Sequence, residues 1–332
     1  TQVEAPHHAR GGRAGALPGG RLVKRLRDYL KSADYRARAA TESRKWGAHL
    51  QVEARGEMNA WLDHPEVVAH YCQRGLIDGL EWKHWVPHHL GGPAARSLDL
   101  GCGAASRSLA VWEAGASTCL EGVDLSEERV AEGERLRREK GAPGRFWAED
   151  VNALTLQPER YDLIFSAHSF HHFLELEHLM EQVARALTPR GLFILEEFVG
   201  PTQFQWTNLQ MDLTAALLRC LPEELRRFRW GTVKHLEGRP TVEEVVAVSP
   251  FESIRSAEIV PLFERTFDII LIRNLGGTIQ HLLYNGIVHN FFPVTDESGR
   301  YLRGILGVED QLIDAGLLPS DFMLLVGRKR VL

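Results

Sequence analysis

The segment Ser97-Leu98-Asp99-Leu100-Gly101-Cys102-Gly103-Ala104-Ala105-Ser106 is the most informative stretch of this 332-residue chain. A short apolar strand passes through Asp99 into a turn with two glycines, and a helix follows. Glycine suits such a turn because a sharp reversal close to a ligand needs backbone angles that a Cβ disfavours. The free N–H groups at the start of the helix would face that ligand. The segment therefore predicts a strand–turn–helix site for a nucleotide-like cofactor.

The composition is that of an ordinary globular protein. Charged residues make up 25% of the chain and apolar residues 44%. We find no run of about 18 apolar residues and no apolar leader, so we expect a cytoplasmic protein without a membrane partner. The four cysteines lack paired or metal-ligand spacing, which supports neither a disulfide framework nor a metal site.

The N-terminal part of the chain is basic. Residues 1–56 contain 12 Lys and Arg against 5 Asp and Glu, although the whole chain carries a net charge of −5. A basic arm could contact nucleic acid or an anionic substrate, and the solvated face of one helix is the alternative. We expect residues 1–20 to be a disordered lead-in and residues 21–90 a helical appendage or lid over the cofactor, with Trp46 and His49 near its entrance.

From residue 91 to 332, apolar strands alternate with helical segments. This alternation is typical of a parallel sheet with helices on both faces. The predicted fold is a Rossmann-like, doubly wound α/β sheet of about seven strands, with helical insertions at about 201–250 and 276–318. Strands are expected at about 96–100, 118–123, 145–148, 161–167, 191–198, 267–272 and 322–328. Helices are expected at about 253–263, 278–291 and 309–315. Asp63-His64-Pro65 should cap a further helix, and Ser126 and Gly141 should bound another.

Polar residues follow the ends of the first four strands. Asp124 ends the second strand, 21 residues after Gly103, where an acid can accept the two hydroxyls of a ribose. Asp150 follows the third strand and can accept from an exocyclic amine such as that of adenine. Because these strand ends meet at one edge of a parallel sheet, the ordered set favours a cofactor site over separate turn caps.

These segments together resemble the class I S-adenosylmethionine-dependent methyltransferases over roughly residues 90–332. The resemblance implies that Gly101 and Gly103 lie beneath the methionine moiety, Asp124 on the ribose, Asp150 near the adenine and Asp99 at the amino end. It adds Cys102, Leu125, Val151 and Ser166 to the cofactor site, and it implies an antiparallel last strand. Ala105 stands where the family often has a third glycine. The resemblance rests on Leu98–Gly103, Val123–Ser126, Glu149–Val151, Tyr161–Ser166 and Leu187–Ile194.

A nicotinamide-dependent dehydrogenase is the rival interpretation of the glycine turn. Its fingerprint needs a glycine three residues after Gly103, where this chain has Ser106. We therefore expect S-adenosylmethionine, with S-adenosylhomocysteine as the product.

Residues after the fourth and fifth strands are the candidates for chemistry. His168, His172 and Glu197 are the catalytic candidates, since a hydroxyl or an acidic carbon acceptor usually needs a base. His171 lies among them, although a histidine here can also serve helix capping or packing. Candidate acceptor-binding residues are Glu196, Arg255, His281 and Tyr284. Arg255 could instead form a surface ion pair. The helix at 278–291, which carries His281 and Tyr284, could instead pack into the core.

The predicted function is methyl transfer from S-adenosylmethionine to a small molecule of the natural-product or sugar type, with O-methylation favoured over N or C. A nucleic-acid or protein methyltransferase and a non-catalytic cofactor-binding regulator are the alternatives. The sequence lacks the residues after the fourth strand that base-methylating enzymes use, which disfavours a nucleic-acid partner. A homodimer contact is the structural alternative for the insertions.

Overall fold

A seven-stranded sheet forms the centre of the computed structural model, which describes residues 28–330. The strands lie in the order β3-β2-β1-β4-β5-β7-β6, and only β7 runs antiparallel to its two neighbours. This arrangement confirms the predicted doubly wound sheet and its antiparallel last strand. The strands are β1 (Ser97–Leu100), β2 (Leu120–Asp124), β3 (Gly144–Ala148), β4 (Tyr161–Ala167), β5 (Leu187–Phe198), β6 (Phe267–Gly276) and β7 (Phe322–Lys329).

Apolar side chains cover both faces of the sheet. In β5, Leu192 and Ile194 face one buried cluster, whereas Phe193 and Leu195 face the other. Successive side chains of a strand point to opposite faces, so a continuous apolar run is what a doubly covered strand requires. The same alternation sends Glu196 and Glu197 to opposite sides of the sheet.

Eleven helices surround the sheet within residues 28–330. The predicted helix signals hold locally: His64 caps α2, and Ser126 and Gly141 bound α5. The helices are α1 (Ala33–Ala54), α2 (Pro65–Arg74), α3 (Trp82–Leu90), α4 (Ser106–Glu113), α5 (Glu127–Lys140), α6 (Leu176–Ala186), α7 (Asn208–Cys220), α8 (Val242–Val248), α9 (Ile259–Thr266), α10 (Gln280–Tyr284) and α11 (Asp296–Asp314). None of them is long and apolar enough to cross a membrane.

Three helix boundaries differ from the sequence prediction. The helix expected at 253–263 begins at Ile259, because residues 251–258 form turns with Ser253 at φ +48°. The apolar stretch 278–291 is broken at Gly286, whose φ is +83°. The short helix expected at 309–315 belongs to the longer α11. The predicted lead-in, residues 1–20, lies outside the described residues.

A buried carboxylate ties the second insertion together. Glu309 of α11 accepts hydrogen bonds from the backbone N–H groups of Gly277 (2.7 Å), Ile279 (2.5 Å) and Gln280 (2.8 Å). Its side chain is fully buried and also accepts from the Gln280 amide. One residue of α11 thus fixes this helix to the residues that directly follow β6 and satisfies several buried donors at once.

We expect Glu309→Ala to lower the free energy of unfolding by about 3 kcal/mol, since it leaves buried N–H groups without an acceptor. Urea denaturation measures this change. Glu297→Ala, on the exposed first turn of the same helix, is the matched control and should cost less than about 0.5 kcal/mol. Equal losses in the two variants would contradict the anchoring role.

Candidate cofactor and active site

The turn after β1 adopts the geometry that its glycines permit. Gly101 has φ +78° and Gly103 has φ +50°. A Cβ on Gly101 would lie 2.4 Å from the Ser169 side chain, so no larger residue fits there. Ala105 also has positive φ, at +64°, and it is fully buried against Gly133. The third small position therefore keeps a glycine-like conformation with an alanine, at some cost in strain.

A cavity of about 240 Å³ opens at the carboxyl ends of β1, β2, β3 and β4. All but one of the predicted cofactor residues line it: Asp99, Gly101, Cys102, Gly103, Asp124, Leu125, Asp150 and Val151. The exception is Ser166, which is buried and donates its hydroxyl to the Leu100 carbonyl at 2.7 Å. Ser166 thus joins two strand ends and is not among the residues that line the cavity.

Two of the acids have distinct surroundings. Asp124 accepts from the backbone N–H of Gly103 at 2.8 Å and of Ser126 at 2.9 Å, which fixes its carboxylate at the cavity wall. Asp99 is buried and accepts from the Ser108 hydroxyl at 2.5 Å. Burial raises the pKa of Asp99 to about 7, although Ser108 and Arg107 oppose that rise.

Helix α1 covers the cavity. Glu42, Ser43 and Trp46 line it from above, as the lid prediction requires for Trp46. His49 does not line it and instead pairs with Glu53 at 3.1 Å. The Tyr35 hydroxyl donates to Asp150 at 2.7 Å, which ties α1 directly to the strand end expected to hold the adenine.

His168 and Glu196 meet at the edge of this cavity. His168 follows β4 directly, has φ +55° and lines the cavity. Its Nε2 lies 3.6 Å from Oε1 of Glu196. Trp82 donates to Glu196 at 2.8 Å and Arg107 at 3.1 Å. Burial raises the pKa of Glu196, but Arg107 and His168 outweigh it and lower the pKa to about 2. The ionised Glu196 carboxylate thus lies next to the imidazole of His168.

Glu197 points away from the cavity. It is fully buried and accepts from the backbone N–H groups of Ser169 and Phe170 and from His171 Nδ1 at 2.5 Å. Glu197, predicted to be catalytic, does not line the cavity, because strand alternation turns it to the other face of the sheet. Glu197 positions the loop that carries the histidines. Burial lowers the pKa of His171, but Glu197 and Glu252 raise it to about 10.

His172, a catalytic candidate, lines the cavity, whereas three acceptor candidates do not. Arg255 is held by Glu177 and Glu258 at 2.6–2.9 Å, the ion pair foreseen as its alternative. Tyr284 lies in the core and donates to the Leu302 carbonyl. His281 contacts the rings of Trp61, Phe204, Trp206 and Phe322, and burial lowers its pKa to about 4. Contacts with distant elements therefore keep these three side chains away from the cavity wall.

Several residues at the site escaped the sequence analysis. Glu42 and Phe251 line the cavity, and Tyr35 contacts Asp150 at its wall. All three come from segments far away in sequence, and no local pattern marks them. Arg107 and Ser169 directly follow segments that were recognised, so their positions after β1 and β4 could have identified them. The remaining newcomers to the cavity wall are Ser43, Ser106, Ser126, Arg129, Asn152, Ala167 and Phe173.

Comparison with known families agrees with this site. Residues 98–191, which run from β1 to β5, match the family model described as "Methyltransferase domain". This segment is a class I S-adenosylmethionine-dependent methyltransferase domain. The match includes the glycine turn, Asp124, Asp150 and His168, and it does not extend to residues 192–332.

Named relatives share the domain over part of their length. The uncharacterized methyltransferase YcgJ of Bacillus subtilis (strain 168) is 31% identical over 107 residues, which are 32% of this chain and 42% of YcgJ. This chain therefore covers less than half of that relative in the match.

Solved structures resemble the chain more broadly and more weakly. An S-adenosylmethionine-dependent methyltransferase from Mesorhizobium loti is 19% identical, with 76% of this chain and 99% of that one covered and a TM-score of 0.43. Geranyl diphosphate C-methyltransferase from Streptomyces coelicolor A3(2) is 16% identical, with 75% of each chain covered and a TM-score of 0.46. Likeness of this extent says nothing about the acceptor.

S-adenosylmethionine is the cofactor of this domain, and the cavity suits its parts. The cradle at Gly101 would be filled by any Cβ, Asp124 offers oxygens for ribose hydroxyls, and Asp99 offers a carboxylate for an ammonium group. The cofactor supplies an activated sulfonium methyl. The residues that line the cavity would bind and orient it, and α1 would shield it from water.

We expect the affinity for S-adenosylhomocysteine to rise roughly tenfold between pH 5.5 and 7. Below pH 7 the Asp99 carboxyl carries a proton, because its pKa is raised, and a neutral carboxyl attracts the ligand's ammonium less than an anion does. Calorimetric titration at several pH values measures how the affinity changes with pH. In Asp99→Asn the affinity should no longer depend on pH over this range. An affinity that does not change with pH in the unaltered protein would refute the role of Asp99.

Proposed function

We propose that this chain transfers the methyl group of S-adenosylmethionine to a hydroxyl of a small molecule of the natural-product or sugar type. The observation that carries the proposal is the pairing of His168 with Glu196 at the cavity wall. A carboxylate that orients an imidazole is the usual arrangement for a general base. An alcohol acceptor needs such a base more than a neutral amine does.

The proposed reaction balances with these groups alone. The acceptor oxygen attacks the methyl carbon in line, the new O–CH₃ bond forms as the S–CH₃ bond breaks, and S-adenosylhomocysteine leaves as a neutral thioether. His168 accepts the hydroxyl proton. Glu196, fixed by Trp82 and Arg107, stabilises the imidazolium that results.

The roof of the cavity supports a small acceptor over a macromolecule. Helix α1 lies above the cofactor site and is tied to it by Tyr35–Asp150, by Ser43–Leu125 and by Arg129, which contacts the Trp46 carbonyl and Glu53. A protein side chain or a nucleic-acid base would have to displace these contacts to reach the methyl group. A small molecule can enter beneath them.

The acceptor class can be tested with methyl-labelled S-adenosylmethionine and an extract of cells that make this protein. We expect the label in the low-mass fraction, since the covered cavity favours a small acceptor. Label confined to protein or nucleic acid would refute the small-molecule proposal. Binding of the cofactor without transfer to any fraction would favour a regulator.

With the labelled acceptor in hand, His168→Ala should lower kcat by at least about 100-fold and leave the Kd for S-adenosylhomocysteine almost unchanged, because the base acts only in the chemical step. His88→Ala, at an exposed position on α3, is the matched control and should retain full activity. A similar kcat in the two variants would remove His168 from the mechanism.

A further inference from the structure

Three potential metal ligands converge behind the cavity wall. His171 and His172 lie in the 3₁₀ turn Phe170–His172 after β4, and Glu252 comes from the turns before α9. One ligand atom from each lies within 4.8 Å of the others. Glu252 Oε1 is 3.4 Å from His171 Nε2 and 3.9 Å from His172 Nε2. Ligands bound tetrahedrally at about 2.0–2.1 Å lie about 3.4 Å apart, so the three atoms already have nearly the required spacing.

A carboxylate also lies next to Nδ1 of each imidazole. His171 Nδ1 pairs with Glu197 at 2.5 Å, which leaves Nε2 facing Glu252. His172 Nδ1 lies 3.2 Å from Glu42 Oε1, although this buried nitrogen makes no hydrogen bond. Glu42 itself is fixed by Trp46 and Ser249. Metal-binding histidines commonly have a carboxylate at the other ring nitrogen, where it orients the ring and increases its basicity.

The charges around the cluster leave room for a divalent cation. Glu42, Glu197 and Glu252 bring three negative charges, and Lys45 contributes one positive charge through its contact with Glu252 Oε2 at 3.4 Å. If both imidazoles are neutral, the net charge of the cluster is −2. A divalent cation would supply both charges, and protons on both imidazoles are the competing arrangement. Because Lys45 contacts Oε2, the Oε1 atom stays available to a metal.

We propose that His171 Nε2, His172 Nε2 and Glu252 Oε1 bind a late first-row divalent cation of the zinc class. Two imidazoles and one carboxylate suit such ions, whereas magnesium prefers oxygen ligands alone. The site adjoins the cofactor cavity, since the His172 ring forms part of the cavity wall. A fourth position would be taken by water. This proposal does not depend on which acceptor the enzyme methylates.

Cobalt(II) tests the site directly, because its visible absorption reports coordination by nitrogen and oxygen ligands. The full chain is treated with a chelator, dialysed at pH 8 and titrated with Co²⁺. We expect one ion per chain with a visible absorption band, and displacement of that band by Zn²⁺ but not by equimolar Mg²⁺. Glu252→Gln and His172→Gln should each weaken the affinity at least 100-fold. Glu42→Gln should weaken it 10–100-fold, as expected of a residue that orients a ligand.

The matched control removes a surface pair that could bind metal adventitiously. His84 and His88 are exposed and four residues apart on α3, a spacing at which two histidines could bind a metal ion. If the ion binds at His171, His172 and Glu252, the double variant His84→Ala/His88→Ala should bind Co²⁺ like the unaltered protein. Circular dichroism and the Tm show that each variant is folded. Absence of binding at pH 8, unchanged binding in folded Glu252→Gln, or loss of binding in the control would each overturn the proposal.

Discussion

The structure of the site depends on the hydrogen bonds that join the glycine turn after β1 to the end of β2. The N–H of Gly103 donates to Asp124, and the N–H groups of Gly101 and Cys102 donate to the Val123 carbonyl. These contacts hold the glycine turn against the end of β2 in a conformation that a larger residue at Gly101 would prevent. The start of α4, the carboxylates at the cavity wall and the loop after β4 are all placed relative to this turn.

The sequence predicted the parts of the site that local rules determine. Strand–helix alternation gave all seven strands, and the position of acids at strand ends gave Asp99, Asp124 and Asp150. It failed where a side chain's role depends on a distant partner. Arg255 pairs with Glu177, 78 residues away, and nothing near Arg255 in the sequence indicates that contact. Glu197 is different, since strand alternation alone could have separated it from Glu196.

The segment between β5 and β6 adds residues to the site, whereas the segment between β6 and β7 packs beside the sheet. The turns before α9 bring Phe251 to the cavity and Glu252 to the histidines, while Glu309 fixes the segment between β6 and β7. Such contacts join segments that are up to about 200 residues apart, as in the pairing of Glu42 with Ser249. Helical periodicity and turn residues predict the elements of these insertions but not which faces meet, because packing decides that.

The central claim is that the turn and Asp124 bind S-adenosylmethionine or its product. Calorimetric titration of S-adenosylhomocysteine into the Asp124→Asn variant tests it most directly. Asp162→Asn, whose side chain contacts Ala95 and Thr188 at the opposite edge of the sheet, is the control. We expect Asp124→Asn to weaken binding by about 100-fold, as loss of charge-assisted hydrogen bonds to ribose would do, and the control to bind normally. Equal affinity in both folded variants would contradict the cofactor site described here.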